Sequence, residues 1–276
     1  MNIRAYLDRI DYHGSLEPTA ETLRALHVAH LLAVPFENLN IGLGWPIVLD
    51  QDALFEKIVV RRRGGFCYEL NGLFAALLSA LGFDVTLLSA GVARQGGGFG
   101  PDFDHMTLLV RGMGVGGSPS PIPWLADVGF GDSFREPLRL DWRDEQQQDE
   151  HLYRIVDDGE HLVLQRRELV LSKPEETGGQ DRGGQDAWEP QYQFTTQPRR
   201  PVQFLGMCRY HQTSPESSFT RRRVCTRATP DGRVTLSDMR LIITHDGERS
   251  ERELADEAEV QAVLQEWFGV VFPTDL

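Results

Sequence analysis

Apolar positions in the first third of the chain repeat with a helical period. Leu70, Leu73, Phe74, Leu77, Leu78 and Leu81 form one stripe, and Gly82 follows as a helix stop. Leu23, Leu26 and His30 share another face with Ala33 beyond, behind a helix start at Pro18 and Thr19. The segment LDQDALFEKIVV predicts a shorter helix that begins at Asp50. On this period about the first 80 residues read as helical.

From Phe83 the pattern changes to short β-rich runs: FDVTLLSAGVAR, HMTLLVRG, PWLADVGFGD, LYRIVDDGEHLVLQRRELVL and YQFTTQP. Asp158-Gly159 marks a hairpin turn inside the fourth run. This middle region reads as an antiparallel sheet or barrel. Two polar stretches interrupt it: residues 112–123 (GMGVGGSPSPIP), and residues 173–190 (KPEETGGQDRGGQDAWEP), expected as a mobile loop. In the last third, RRVCTRATPDGRVTLSDMRLIITHDGE carries two Asp-Gly turns and predicts a strand meander. ADEAEVQAVLQEWFG then predicts a helix whose buried face is Val260, Val263, Leu264 and Trp267. Helices, then strands, then strands with a helix make an α+β class rather than alternating βαβ.

The chain has 276 residues, 41% hydrophobic and 25% charged, enough for a substantial core. No apolar run nears the roughly 18 residues of a membrane span. The charged start MNIRAYLDRIDYHG lacks a signal-peptide core. Cys67, Cys208 and Cys225 are odd in number and far apart, so they form neither a disulfide framework nor a CxxC metal pair. These features predict a cytoplasmic protein in a reducing compartment. A net charge of -13 argues against a general nucleic-acid binder. The arginines at 61–63 and 221–223 fit either a local anion site or solvated, ion-paired side chains.

Candidate chemistry centres on RRRGGFCYELNGLF, residues 61–74. Cys67 lies where the third helix begins, and the free N–H groups and dipole there favour a thiolate. Gly64 and Gly65 are expected to let the backbone turn tightly and approach a bound carbonyl, with a nearby N–H stabilising an oxyanion. Cys67 as a small buried hydrophobe is the competing reading. A nucleophilic cysteine needs a base and an orienting acceptor. His105 follows the glycine-rich RQGGGFGPDFD and opens a β-run, at the rim of a pocket. Asp127 in WLADVGFGD is flanked by apolar residues within a predicted strand, where a carboxylate calls for a partner. Asp102 and Asp104 are rival acceptors, but their glycine-rich setting suggests a solvated loop. His27 and His30 share a helix face without a third ligand, so core or interface histidines are expected and no metal site. His13, His151, His161, His211 and His245 carry no motif, and Cys208 and Cys225 read as structural thiols. GGGFG lacks the lysine and following helix of a phosphate loop.

VPFENLNI (residues 34–41), RRGGFCYELN (62–71), His105 in its D-H-M setting and DVGFGD (127–132) together resemble the arylamine N-acetyltransferase family. YLDRIDYHG, PTAETLRALHVAHL and the later SPESSFT agree in order and character. The match is strongest over residues 6–140, and the RGGFCYE and DVGFG pair carries its specificity. The resemblance implies three parts: a helical bundle over 1–84, a β-barrel over 85–195 and an α/β lid over 196–276. The first two would hold a cysteine-protease-like triad, with Cys67 as nucleophile, His105 as base and Asp127 as its orienter. It also implies a ping-pong reaction. Cys67 takes an acetyl group from acetyl-CoA and passes it to an arylamine, arylhydrazine or N-hydroxyarylamine. Glu37 and Arg63 are similar to a structural ion pair beneath the site. Phe36, Val92 and Phe130 would touch the aromatic substrate, and Gly129 would lie near the CoA arm.

The spacing from His105 to Asp127 exceeds what the family leads one to expect, with GMGVGGSPSP as the surplus in a longer hairpin. Residues 173–190 read as another insertion. Three other readings stay open: an amide synthase of the same fold closing macrolactams, a Cys-His-Asp hydrolase or transglutaminase-like enzyme, and a non-catalytic binding protein with a buried cysteine.

Overall fold

The computed structural model describes residues 1–112, 120–169 and 187–272, and the two surplus stretches fall largely outside them. The first part holds α1 (Ile3–Arg9), α2 (Ala20–Ala33), a two-residue strand β1 (Phe36–Glu37), α3 (Leu39–Gly42), α4 (Gln51–Phe55) and α5 (Cys67–Ala80). The caps match the pattern. Thr19 accepts from the Thr22 N–H to start α2, and Asp50 accepts from the Asp52 and Ala53 N–H groups to start α4. Gly82 follows α5 with φ 93°. Two features were not expected. α4 runs into a π-helical turn, Glu56–Val60, and β1 interrupts the helices.

The middle part is an antiparallel sheet. Its strands are β2 (Asp84–Val92), β3 (His105–Arg111), β4 (Trp124–Ala126), β5 (Leu138–Arg139), β6 (Gln146–Gln148), β7 (His151–Asp157), β8 (Leu162–Glu168) and β9 (Glu189–Phe194). The order β5-β4-β3-β2-β9-β8-β7-β6 leaves β5 and β6 as edges. Glutamine side chains nearly close the gap between them. Gln146 accepts from the Arg139 N–H at 2.8 Å and donates to the Arg139 carbonyl at 3.0 Å, as a neighbouring strand would. Leu88, Leu109, Ile155, Leu164, Tyr192 and Phe194 form the core inside this sheet. β9 begins at Glu189, inside the stretch read as loop.

The last part has α6 (Leu205–Thr213), α7 (Ser218–Arg221), the meander β10 (Val224–Thr229), β11 (Gly232–Ser237), β12 (Arg240–His245) and β13 (Glu248–Glu253), and α8 (Glu257–Phe268). The meander follows the Asp-Gly turns. On α8, Phe268 is buried and Trp267 only half-buried, correcting the predicted face. β1 pairs antiparallel with β10, so the first part supplies an edge strand to the last sheet. Arg135 binds the parts together. Its guanidinium donates to the carbonyls of Thr229 and Gly232 at 2.7 Å, and its own carbonyl accepts from His27 Nδ1 at 2.7 Å. No helix among the described residues is long and apolar enough to cross a membrane.

Candidate active site

The position of Cys67 follows from how the chain enters α5. The Phe66 N–H donates to Glu69 Oε2 at 3.1 Å, and Lys57 Nζ holds the same carboxylate at 2.8 Å. This fixes the first turn, with Cys67 as the first helical residue, where N–H groups lack intrahelical partners. The turn itself is made by Arg62 at φ 53°. Gly64 serves a different end from the one expected. A Cβ there would stand 2.0 Å from the Pro35 carbonyl oxygen, because this segment runs beside β1 and the Glu37 N–H donates to the Gly65 carbonyl at 2.9 Å. Gly64 thus makes room for backbone, and Gly65 for the Glu69 side chain, which a Cβ would meet at 2.8 Å, rather than for a ligand.

His105 opens β3. Strand alternation puts Met106, Leu108 and Val110 toward the helical side, and His105, Thr107 and Leu109 toward the inside of the sheet. His105 Nε2–H donates to Asp127 Oδ2 at 2.6 Å, with both side chains buried. Asp127 sits one residue beyond β4, not within a strand as the pattern suggested. Its N–H donates to His27 Nε2 at 3.0 Å, which removes it from strand pairing. Its carboxylate also accepts from Asn71 Nδ2 at 2.8 Å and from the Gly129 N–H at 3.0 Å. Burial would push this carboxyl up, but His105 beside it and the bonds from His105, Asn71 and Gly129 hold it below the ordinary carboxylate range.

Burial pushes the Cys67 thiol well up, and the Met106 backbone N–H opposes this. Ionisation of Cys67 therefore calls for a base at hand. Cys67 and His105 line one cavity of about 300 Å³, together with Phe36, Val92, Gly129 and Phe130. Phe130 stands edge-on to His105 with ring centroids 5.3 Å apart. Gly129 packs on α5, where a Cβ would meet Cys67 Cα at 2.8 Å and Asn71 Nδ2 at 2.7 Å. Arg63 Nη2 donates to Glu37 Oε1 at 2.7 Å, fully buried, and Lys57 stands 3.6 Å from the same oxygen. Burial pushes Glu37 up, but Lys57 and Arg63 prevail and keep its carboxyl low.

Four residues near this site carry structure that the sequence did not disclose. Asn71 bridges α5 to both strands beside it. It donates to Asp127 and, at 2.6 Å, to the Met106 carbonyl, and accepts from the Val128 N–H at 2.9 Å. Its spacing of four from Cys67, polar on a buried helix face, was the available signal. His27 fixes the Asp127 backbone, and burial lowers its pKa to about 4, so it is a neutral acceptor. Asp104 is not the solvated loop residue expected: it borders the cavity and lies 3.3 Å from His211, which borders it too. Asp102 is exposed as predicted. Cys208 and Cys225 are buried and unbridged. The arginine clusters are largely ion-paired, with Arg61 on Glu56, Arg222 on Asp238 and Arg223 on Glu257.

A family model described as N-acetyltransferase matches residues 19–276. The arylamine N-acetyltransferase of Mycobacterium tuberculosis is 35% identical over 277 residues, covering 98% of this chain and 89% of that protein. The arylamine N-acetyltransferase / N-hydroxyarylamine O-acetyltransferase of Salmonella typhimurium is 32% identical, covering 97% and 88%. Among solved structures, that of Mycobacterium marinum arylamine N-acetyltransferase in complex with CoA superposes with a TM-score of 0.84 at 34% identity, over 98% of this chain and 93% of that one.

Proposed function

The chain belongs to the arylamine N-acetyltransferase family of acyltransferases, and from that premise we propose that it moves an acetyl group from acetyl-CoA to an arylamine, arylhydrazine or N-hydroxyarylamine through a thioester on Cys67. The observation that carries this reading is the buried 2.6 Å bond between His105 and Asp127 beside a cysteine in the same cavity. The logic is that of a cysteine-protease-like triad. The division into a bundle (1–84), a barrel (85–195) and a lid (196–276) belongs to the same reading.

With Nε2 committed to Asp127, His105 has Nδ1 left to take a proton. Cys67 passes its proton to His105 as the sulfur attacks the thioester carbonyl, so burial need not stabilise a free thiolate. The backbone N–H groups at the start of α5 then face the developing oxyanion. His105 returns the proton to the departing CoA sulfur. In the second half, the amine attacks the Cys67 thioester. An aromatic amine is neutral at pH 7 and attacks without prior deprotonation; His105 takes the proton that appears as the N–C bond forms and returns it to the Cys67 sulfur as the C–S bond breaks. Asp127 keeps the imidazole in one tautomer and stabilises its charged form.

Acetyl-CoA supplies the acyl group already activated as a thioester, so the first exchange is close to balanced. The residues present suit both substrates. Phe36 and Phe130 offer flat apolar walls to a ring. The cavity of about 300 Å³ holds a ring or the reactive end of a pantetheine arm, with Gly129 alongside. Intact-mass measurement after incubation with acetyl-CoA is expected to show one added acetyl group, on Cys67. Cys67→Ser should lose both the adduct and transfer to an aromatic amine. Wild-type transfer rates in that variant would falsify the mechanism.

A further inference from the structure

A second imidazole–carboxylate pair borders the cavity and has no part in the mechanism above. His211, on α6, is buried, and its Nε2 lies 3.3 Å from Asp104 Oδ1 and 3.3 Å from the Asp104 carbonyl oxygen. The carbonyl oxygen accepts the hydrogen bond, so Nε2 carries the hydrogen, and the carboxylate oxygen stands within ion-pair distance of it. Nδ1 meets Ser217 Oγ at 3.1 Å. The imidazole is packed by Tyr210, Phe219 and Tyr68, with ring centroids 5.5, 5.2 and 6.1 Å away. Asp104 Oδ2 accepts from the Val92 N–H at 3.2 Å.

These contacts hold the carboxylate in place without using it up. An ionised carboxylate has about four acceptor positions, and the hydrogen bond filled here, from the Val92 N–H, is long at 3.2 Å, with His211 Nε2 within ion-pair reach of the other oxygen. The Asp104 side chain is 18% exposed, and the cavity walls around it include Phe36, Phe130 and Phe219. A partly desolvated acceptor among apolar walls discriminates strongly between ligands that offer a donor and ligands that do not. The exposed Arg94 borders the same cavity from the solvent side, where its charge is screened.

Resting on the function proposed above, we infer that Asp104, oriented by His211, selects acceptors. It accepts a hydrogen bond from a second O–H or N–H group on the aromatic acceptor and disfavours acceptors that carry an anion there. The pantetheine arm also carries amide N–H groups, and separate measurement of the two half-reactions distinguishes the two sources.

The test compares 4-aminophenol with 4-aminobenzoate in the wild type, in Asp104→Asn and in His211→Phe, which keeps ring packing but removes the Nε2 donor. Acetyl-enzyme formation is followed by intact mass, and kcat/KM is measured for each acceptor. The ratio of the two values is the readout. Differences in amine nucleophilicity are the same for every variant and cancel. The ratio is expected to favour 4-aminophenol in the wild type and to fall roughly tenfold in Asp104→Asn, with a severalfold fall in His211→Phe. A parallel loss for both acceptors, an unchanged ratio, or a change confined to acetyl-CoA overturns the inference. Absence of the acetyl adduct on wild-type Cys67 overturns the parent function instead, and the inference with it.

Discussion

His105 and Asp127 meet at 2.6 Å with both side chains sealed from solvent, whereas His211 and Asp104 meet at 3.3 Å on the wall of the cavity. Asp127 accepts from three donors within 3.0 Å: His105, Asn71 and the Gly129 N–H. Asp104 keeps acceptor capacity at the wall of the cavity. The same two residue types thus suit different tasks. A buried carboxylate occupied by three donors suits orienting and stabilising its imidazole, while an under-used one at a cavity wall suits recognition of a ligand.

The largest expected difference between the pairs comes from Asp127→Asn. Acetyl transfer should fall roughly 10³–10⁴-fold, as when a triad carboxylate is neutralised and its histidine loses the right tautomer. Steady-state rates at saturating acetyl-CoA check this, and a loss under tenfold would put Asp127 on the same footing as Asp104.

A second difference is in pH dependence. The His27 pKa is lowered by burial from 6.5 to about 4, so the unfolded chain binds more protons in this range. Stability is therefore present above the unfolded value and is lost as pH falls from 6.5 toward 4, by roughly 3 kcal/mol. His30, also pushed down by burial, adds to the same slope. Urea unfolding at pH 7 and pH 4.5 measures the loss, and His27→Gln should flatten it.

Asn71→Ala should cost about 2–3 kcal/mol, since it strips partners from the Val128 N–H and the Met106 carbonyl in a buried setting. Transfer should fall with it, because Asp127 loses a donor. Thermal melts paired with kcat report both. The smallest effect on selectivity is expected at the second pair: Ser217→Ala removes the Nδ1 partner of His211 and the cap that accepts from the Phe219 N–H at the start of α7, and should cost about 1–2 kcal/mol. The 4-aminophenol to 4-aminobenzoate ratio should move less than twofold. A larger shift would mean that Nδ1, not Nε2, governs how Asp104 is held.

Much of this was legible in the sequence. The stripe from Leu70 to Leu81, the caps at Thr19 and Asp50, and the Asp-Gly turns are local features, and local features survive folding. Cys67, His105 and Asp127 stood out because each is a chemical residue in a setting that needs a reason for it. The misreadings share one cause. Asp127 left the strand because His27, distant in sequence, takes its N–H. Gly64 proved to be space for the Pro35 carbonyl. Asp104 looked solvated because its partner, His211, lies on a helix far along the chain. β5 and β6 are too short to show a period, and side-chain amides complete their edge.

The sequence by itself determined the helix that carries Cys67, the strand that begins at His105, the α+β class and the family, since periodicity, caps and motif spacing are written in consecutive residues. Tertiary structure alone decided that Asp104 meets His211, that His27 and Asn71 hold Asp127, and the distances at which each imidazole meets its carboxylate. Those pairings depend on burial and on hydrogen bonds between segments that no stretch of sequence contains.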